Sequence, residues 1–261
     1  MLNLAVEQKG RRAHVKKCRY RRCLSLALTL LGFGLSSCAS PQTDTLGQLA
    51  YDSGGEGTVY LEEGDRMVPY LVLTETDGAV LLLREYLLPQ PQPISDYSSY
   101  YEDSPMDSYL NTTFLSTLAP ETAQKLLHHS VTITAEESLG SCGENRVDIQ
   151  RQVFLLSCTE LGFQDLSIAV QEGTPLSYFA DPAHRVAQTE NGIPASWWLR
   201  TPDTGYLSCT FGIGPDGRIG SGNANASNGV RPAFWLPSNL SVSRSDQLIQ
   251  GEEVFTLAND P

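Results

Sequence analysis

The sequence predicts an α+β fold in a single domain, preceded by an export signal and a tether. Three observations carry this. Short β-prone runs bounded by Gly, Pro and Asp recur along the chain, and the few helical patterns are short and precede most of them. A composition of 41 % hydrophobic and 18 % charged residues over 261 positions is that of a folded protein. Charge is divided unevenly: residues 1–37 hold eight basic side chains and one acid, so the remaining 224 carry 10 basic and 29 acidic groups. The net charge of that body is −19, against −12 for the whole chain. Such acidity argues against binding nucleic acid, or anionic lipid, through a basic surface.

The N-terminus reads as an address. Residues 9–23 are basic and residues 24–35 (LSLALTLLGFGL) are apolar and uncharged. That run is shorter than the roughly 20 residues a spanning helix needs, and a basic segment before a short apolar one is a secretory signal, here residues 1–37. Leu35-Ser36-Ser37-Cys38 resembles the bacterial lipobox. The resemblance implies that Cys38 becomes the mature N-terminus and carries lipid on its sulfur, holding the protein at the extracytoplasmic face of the cell membrane. Ordinary secretion, or an uncleaved anchor with Cys38 incidental, is the alternative. Residues 38–57 are rich in Ser, Thr, Gly and Gln and read as a flexible tether.

The domain proper is expected over 58–240. Thr58–Leu61, Met67–Thr74 and Ala79–Leu88 read as strands, with Thr76-Asp77-Gly78 as a hairpin turn. Residues 89–103 form a Pro- and Tyr-rich loop. Ser104 can cap a helix with Pro105 at its first position and Asp107 three residues after the cap; Tyr109, Leu110, Phe114 and Leu118 give its apolar stripe. Pro120 opens a second short helix through Leu127. Ser130–Thr134 reads as a strand, 135–150 as an acidic loop containing Cys142, and Val153–Leu156 as a buried strand. Ser157-x-x-Glu160 is a capping-box start. Residues 171–196 read mostly as loop, with a short helix near Leu176–Phe179. Trp197–Arg200 is a strand. Tyr206–Ile213 and Arg218–Gly220 flank the Gly214-Pro215-Asp216-Gly217 turn. Val230–Leu236 is the last core strand, with Pro232 marking an edge or a bulge. Residues 241–261 form a tail, with Ser241–Ser243 pairing Glu253–Leu257.

The distinctive segments are Ser196-Trp197-Trp198-Leu199-Arg200-Thr201-Pro202, then Gly212 with Asp216-Gly217, then Gly229-Val230-Arg231-Pro232-Ala233-Phe234. Together with the Tyr109–Phe114 helix and the Phe154–Ser157 strand, they resemble an uncharacterised domain of Gram-positive surface proteins over roughly residues 66–240. The resemblance implies a C-type-lectin-like fold, related to the formylglycine-generating enzymes, and no particular activity.

Read from the residues alone, Trp197 and Trp198 are neighbours in a strand and point to opposite faces. One enters the core and the other meets a second layer or a ligand. Arg200 and Arg231 stand beside apolar strand positions and suit structural ion pairs, with ligand capture as the alternative. Asp216 belongs to the hairpin turn. The loop Ser221–Asn228 offers amides and hydroxyls without charge. Asn223, Asn225 and Asn228, with Trp198, Tyr206 and Trp235, form the candidate platform for a glycan or protein ligand; a solvated loop meeting turn geometry is the competing view. Calcium would want oxygen ligands, but no D-x-D-x-D-G loop is present, and no cofactor is expected.

Past the lipidated cysteine, Cys142, Cys158 and Cys209 remain, an odd number compatible with one pair and a free thiol or with buried small hydrophobes. None flanks the Arg231 strand as a pair, which argues against the oxidase chemistry of the resembled enzymes. No G-x-S-x-G, H-E-x-x-H or phosphate-binding loop occurs. The sequence therefore points to a surface lipoprotein whose domain binds an extracellular ligand without catalysis. An envelope assembly partner and a degenerate oxidase are the alternatives.

Overall fold

Among the described residues, hydrogen bonding builds one large sheet and three small ones from short strands. The computed structural model describes residues 44–55, 57–245, 248, 249, 251 and 254–258. The export signal, Cys38 and the first part of the tether lie outside the described residues, as does Glu253 of the tail.

From Asp44 onward the expected tether is packed against the domain. Strand β1 (Asp44–Thr45) leads into a 3-10 turn, Leu46–Leu49, whose Leu46 and Leu49 are buried together with Ala50. Three apolar side chains in so short a segment suffice to seat it. Strands β2 (Thr58–Glu63), β3 (Arg66–Thr76) and β4 (Ala79–Arg84) form an antiparallel meander. The β3–β4 turn is Asp77-Gly78, with φ of 49° and 78°, the two left-handed residues that a two-residue hairpin demands. Strand β4 stops at Arg84, short of Leu88. Arg84 Nη1 donates to the carbonyls of Tyr86 (2.7 Å) and Leu87 (2.8 Å), fixing the chain as it leaves the sheet.

Helix α1 (Pro105–Tyr109) starts where expected, and Ser104 Oγ accepts from the Asp107 N–H. The Asp107 carboxylate takes the N–H of Asp103, one residue earlier than a capping box would place it. A π-type turn, Leu110–Phe114, prolongs the helix. Asn111 fastens it to the core: its side chain donates to the Val153 carbonyl and accepts the Val153 N–H. Helix α2 (Pro120–Ala123) ends well before Leu127.

Strand β5 (His129–Thr134) pairs with β6 (Arg146–Arg151), within the stretch expected to be an acidic loop. In β6 only Ile149 is buried, so its sequence carries almost no apolar alternation. Strand β7 (Val153–Phe154) is short. Two 3-10 turns, Ser177–Ala180 and Pro182–Arg185, precede the β8 (Ala187–Gln188) and β9 (Pro194–Ala195) hairpin. Strands β10 (Trp197–Pro202), β11 (Cys209–Ile213) and β12 (Ile219–Asn223) form the three-stranded sheet. Strand β12 reaches further than the expected Gly220 and takes up the first part of the polar loop. Strand β13 (Ala233–Pro237) follows Pro232, and β14 (Ser241–Arg244) pairs with β15 (Phe255–Leu257).

The large sheet has the order β1-β14-β15-β2-β3-β4-β13-β7, antiparallel throughout except where β15 meets β2. The tail strands are thus part of this sheet. The result is mostly sheet with few short helices, consistent with the expected α+β class at that level.

A buried ionic group ties the meander to the β8–β9 hairpin. Arg84 is fully buried; its Nε lies 2.9 Å from Glu63 Oε1 and its Nη2 3.1 Å from Glu63 Oε2 and 3.0 Å from Glu190 Oε1. Tyr70 Oη donates to Glu63 as well, and Arg66 clamps Glu190 from outside. Gly229 shows how closely the layers approach. A Cβ there would stand 2.5 Å from the Ser196 carbonyl oxygen and 2.6 Å from Leu87 Cδ1. Gly229→Ala is therefore expected to lose about 1–3 kcal/mol of stability. A urea titration checks this, through a lower midpoint at unchanged slope.

Candidate ligand-binding site

Every residue of β10 is buried, because both of its edges are occupied. One edge pairs with β11. On the other, Trp198 N–H donates to the Gly229 carbonyl and Arg200 N–H to that of Leu156. Both tryptophans are consequently interior. Trp197 is fully buried and donates Nε1–H to the Arg185 carbonyl at 3.0 Å. Trp198 is 3 % exposed and donates to the Gln92 carbonyl at 2.9 Å. Of the two alternatives read for the second tryptophan, a second layer or a ligand, Trp198 meets a second layer: its ring lies under Gly212 and Gly222 of the three-stranded sheet.

Arg200 forms the expected ion pair. Its Nη1 and Nη2 each stand 2.8 Å from a Glu160 oxygen, Nη1 also meets the Leu155 carbonyl, and Nε donates to the Thr132 carbonyl. Glu160 and Ser157 complete the capping box read from the sequence: each side chain accepts the other's N–H. Glu172, fully buried, lies 3.6 Å from Arg200 Nε and accepts from Thr134 and Thr201. Burial pushes its carboxyl above the usual range, against the pull of Arg200 and those hydrogen bonds. Cys158, beside this group, is buried and its thiol is pushed up by burial. Cys142, Cys158 and Cys209 are all free.

Arg231 behaves differently. It too is buried, but its one hydrogen bond runs from Nε to the Arg84 carbonyl, and its guanidinium stands over the Trp197 ring. No carboxylate forms a salt bridge with it among the described residues, so the expected ion pair is not made; the nearby Glu85 acts on it only electrostatically, without a hydrogen bond. Asp216 serves the hairpin turn, its Oδ1 accepting the Arg218 N–H.

The six platform residues do not converge. Trp198 and Asn228 share a shallow groove of about 350 Å³ on the three-stranded sheet. Asn228 is engaged there, accepting from Ser196 Oγ at 2.6 Å while its backbone pairs with Gln92. Asn223 and Asn225 are exposed at the end of β12, and Tyr206 is exposed on the turn after β10. Trp235 sits on the large sheet opposite Leu81, lining a different cleft.

That cleft, of about 380 Å³, lies between β13, β5 and the Gly173–Ser177 segment. Its wall is His129 stacked on Trp235, ring centroids 4.5 Å apart. Thr74, Thr132, Ser130 and Ser177 contribute hydroxyls, and the Arg200–Glu160 pair closes one side. Trp235 Nε1 is a buried donor without a partner among the described residues. Burial lowers the His129 pKa, only partly opposed by Glu160, so the imidazole is neutral at pH 7. Among the described residues no three His, Cys, Asp or Glu side chains gather as a metal site. Neither His129 nor Glu160 is among the site residues expected from the sequence, where Glu160 is marked by its capping box alone.

A family model described as a domain of unknown function, DUF6273, matches residues 77–238. The chain belongs to this family. The DUF6273 segment opens at the β3–β4 turn and closes just after β13, so it contains the cleft's Trp235, His129 and Arg200. No curated protein and no solved structure matches the chain.

The His129 shift sets a pH dependence. Its folded pKa lies below its unfolded one, so the unfolded chain takes the proton first, and stability falls as pH drops through the unfolded value toward the folded one. His129→Gln should lose less stability than the native chain between pH 7.5 and 5.5, as read from urea midpoints at both pH values.

Proposed function

We propose that this protein is a lipid-anchored surface module that binds an extracellular glycan in the His129–Trp235 cleft, without catalysis and without a cofactor. The lipobox-like Leu35–Cys38 supports an anchor at Cys38 on the extracytoplasmic face of the membrane. A C-type-lectin-like fold is the finer reading of this architecture. It is supported by the short helices, the mixed sheets and the WWLRTP and GVRPA segments.

The observation that carries the glycan reading is the stacked His129–Trp235 pair, set in a cleft that also carries hydroxyls, the Arg200–Glu160 ion pair, the Asp52 carboxylate and apolar side chains such as Phe154 and Leu176. Sugars present the complement: apolar ring faces for aromatic contact and hydroxyls that both donate and accept. A glycan array probed with the full chain in detergent should give hits that compete with free sugar. His129→Ala should weaken them by about tenfold, the scale of one aromatic contact and its hydrogen bonds. Absence of binding at millimolar sugar, or binding indifferent to His129→Ala and Trp235→Phe, sinks the reading.

The anchor is tested separately. Cys38→Ala should move the protein from the detergent phase to the aqueous phase on phase partition and abolish the lipid mass increment.

One observation favours a protein partner as a second reading. Tyr97, Tyr206 and Leu207 are exposed, and a hydrogen bond from Ser99 N–H to the Leu207 carbonyl sets their segments side by side.

A further inference from the structure

Among the described residues three arginines are buried, and their surroundings differ in one respect. Arg84 and Arg200 each meet two carboxylates within 4 Å. Arg231 is 3 % exposed and, among the described residues, meets none: Nη1 is buried without a partner there, and Nε is hydrogen-bonded to the Arg84 carbonyl. A buried cation left without an anion is strongly disfavoured, and folded proteins pair such groups. Burial accordingly lowers the Arg231 pKa to about 10, with Tyr178 and Glu85 opposing the shift too weakly to cancel it; the side chain is still charged at pH 7.

Arg231 lines a cavity of about 180 Å³, together with Glu85, Tyr86, Tyr178 and His184. Glu85 is half-buried, and no hydrogen bond or salt bridge reaches its carboxylate among the described residues. His184 stacks on Tyr178 at 4.2 Å. Its Nδ1 lies 2.6 Å from the Tyr178 carbonyl oxygen, which only accepts, so Nδ1 carries a proton. The cavity therefore presents a cation and a carboxylate, neither in a salt bridge among the described residues.

We propose that this cavity is a recognition site for a small α-amino acid, its carboxylate held by Arg231 and its ammonium group by Glu85. A plain anion would satisfy the guanidinium and then face the Glu85 carboxylate. A zwitterion meets both groups at once. The volume is below the ~300–1,000 Å³ usual for drug-sized ligands, which restricts the occupant to a small molecule. The site is separate from the His129–Trp235 cleft and does not rest on the glycan reading.

The test is calorimetric titration of the full chain in detergent with glycine, acetate, methylammonium and inorganic phosphate in turn. Glycine is expected to bind, with each single-charge probe at least about tenfold weaker, the scale of one charge-assisted hydrogen bond. Glu85→Gln, nearly isosteric, should weaken glycine by about tenfold or more and strengthen acetate, so that the preference disappears. Arg231→Lys, if folded by urea titration, should weaken glycine and acetate together; if it does not fold, Glu85→Gln decides alone. The proposal is overturned if glycine does not bind, if acetate or phosphate binds as well as glycine, or if Glu85→Gln keeps the preference.

Discussion

A guanidinium moved out of water loses several kcal/mol of hydration unless its donors find acceptors and its charge finds a counter-charge. This domain buries Arg84 and Arg200 and meets that demand with groups drawn from remote parts of the chain. Arg84 collects Glu63 from β2, Glu190 from the turn between β8 and β9, and two carbonyls just beyond its own strand. Arg200 collects Glu160, the carbonyls of Leu155 and Thr132, and the nearby Glu172. None of the three small sheets could slide against its neighbour without parting some of these bonds. Because hydrophobic contact is nondirectional and a guanidinium fork is not, these two groups fix how the sheets meet as well as that they meet.

The same constraint explains what could be read from sequence. Features whose partners lie within four residues were legible: the Asp77-Gly78 turn, the Ser104 cap and the Ser157–Glu160 box all occur where the residue types place them. Arg200 was legible as a buried ion-pair residue, but not its partner, since Glu160 lies forty residues away and only the fold brings it near. Strand β6 was invisible because its outward side chains face water and only Ile149 marks an inner face. The candidate platform failed as a group for a related reason. Trp235 is close to Asn228 along the chain, yet register in the large sheet sets it opposite Leu81, while Asn228 pairs with Gln92.

The DUF6273 segment is smaller than the folded unit. It supplies β4, β13 and β7 to the eight-stranded sheet, whereas β1, β14, β15, β2 and β3 come from the flanks. Glu63, which neutralises Arg84, also lies in a flank. Without the flanks, β4 would present an unpaired edge rich in leucine beside an uncompensated buried arginine, an arrangement that invites aggregation. The flanking strands are therefore part of what makes the family segment stable here, and the boundaries of the family model are not boundaries of the fold.

The acidic balance bears on both proposed ligands. The chain beyond residue 37 carries −19, and three of its ten basic side chains are buried, so little positive charge is available at the surface to draw in an anion. A field of that sign repels anionic ligands before they reach any site, and more strongly at low salt. A neutral glycan crosses it without penalty. So does an amino-acid zwitterion, whose charges sum to zero at long range and separate only on contact with Arg231 and Glu85. Long-range repulsion and short-range pairing thus select the same class of ligand: uncharged overall, and polar where it touches the protein.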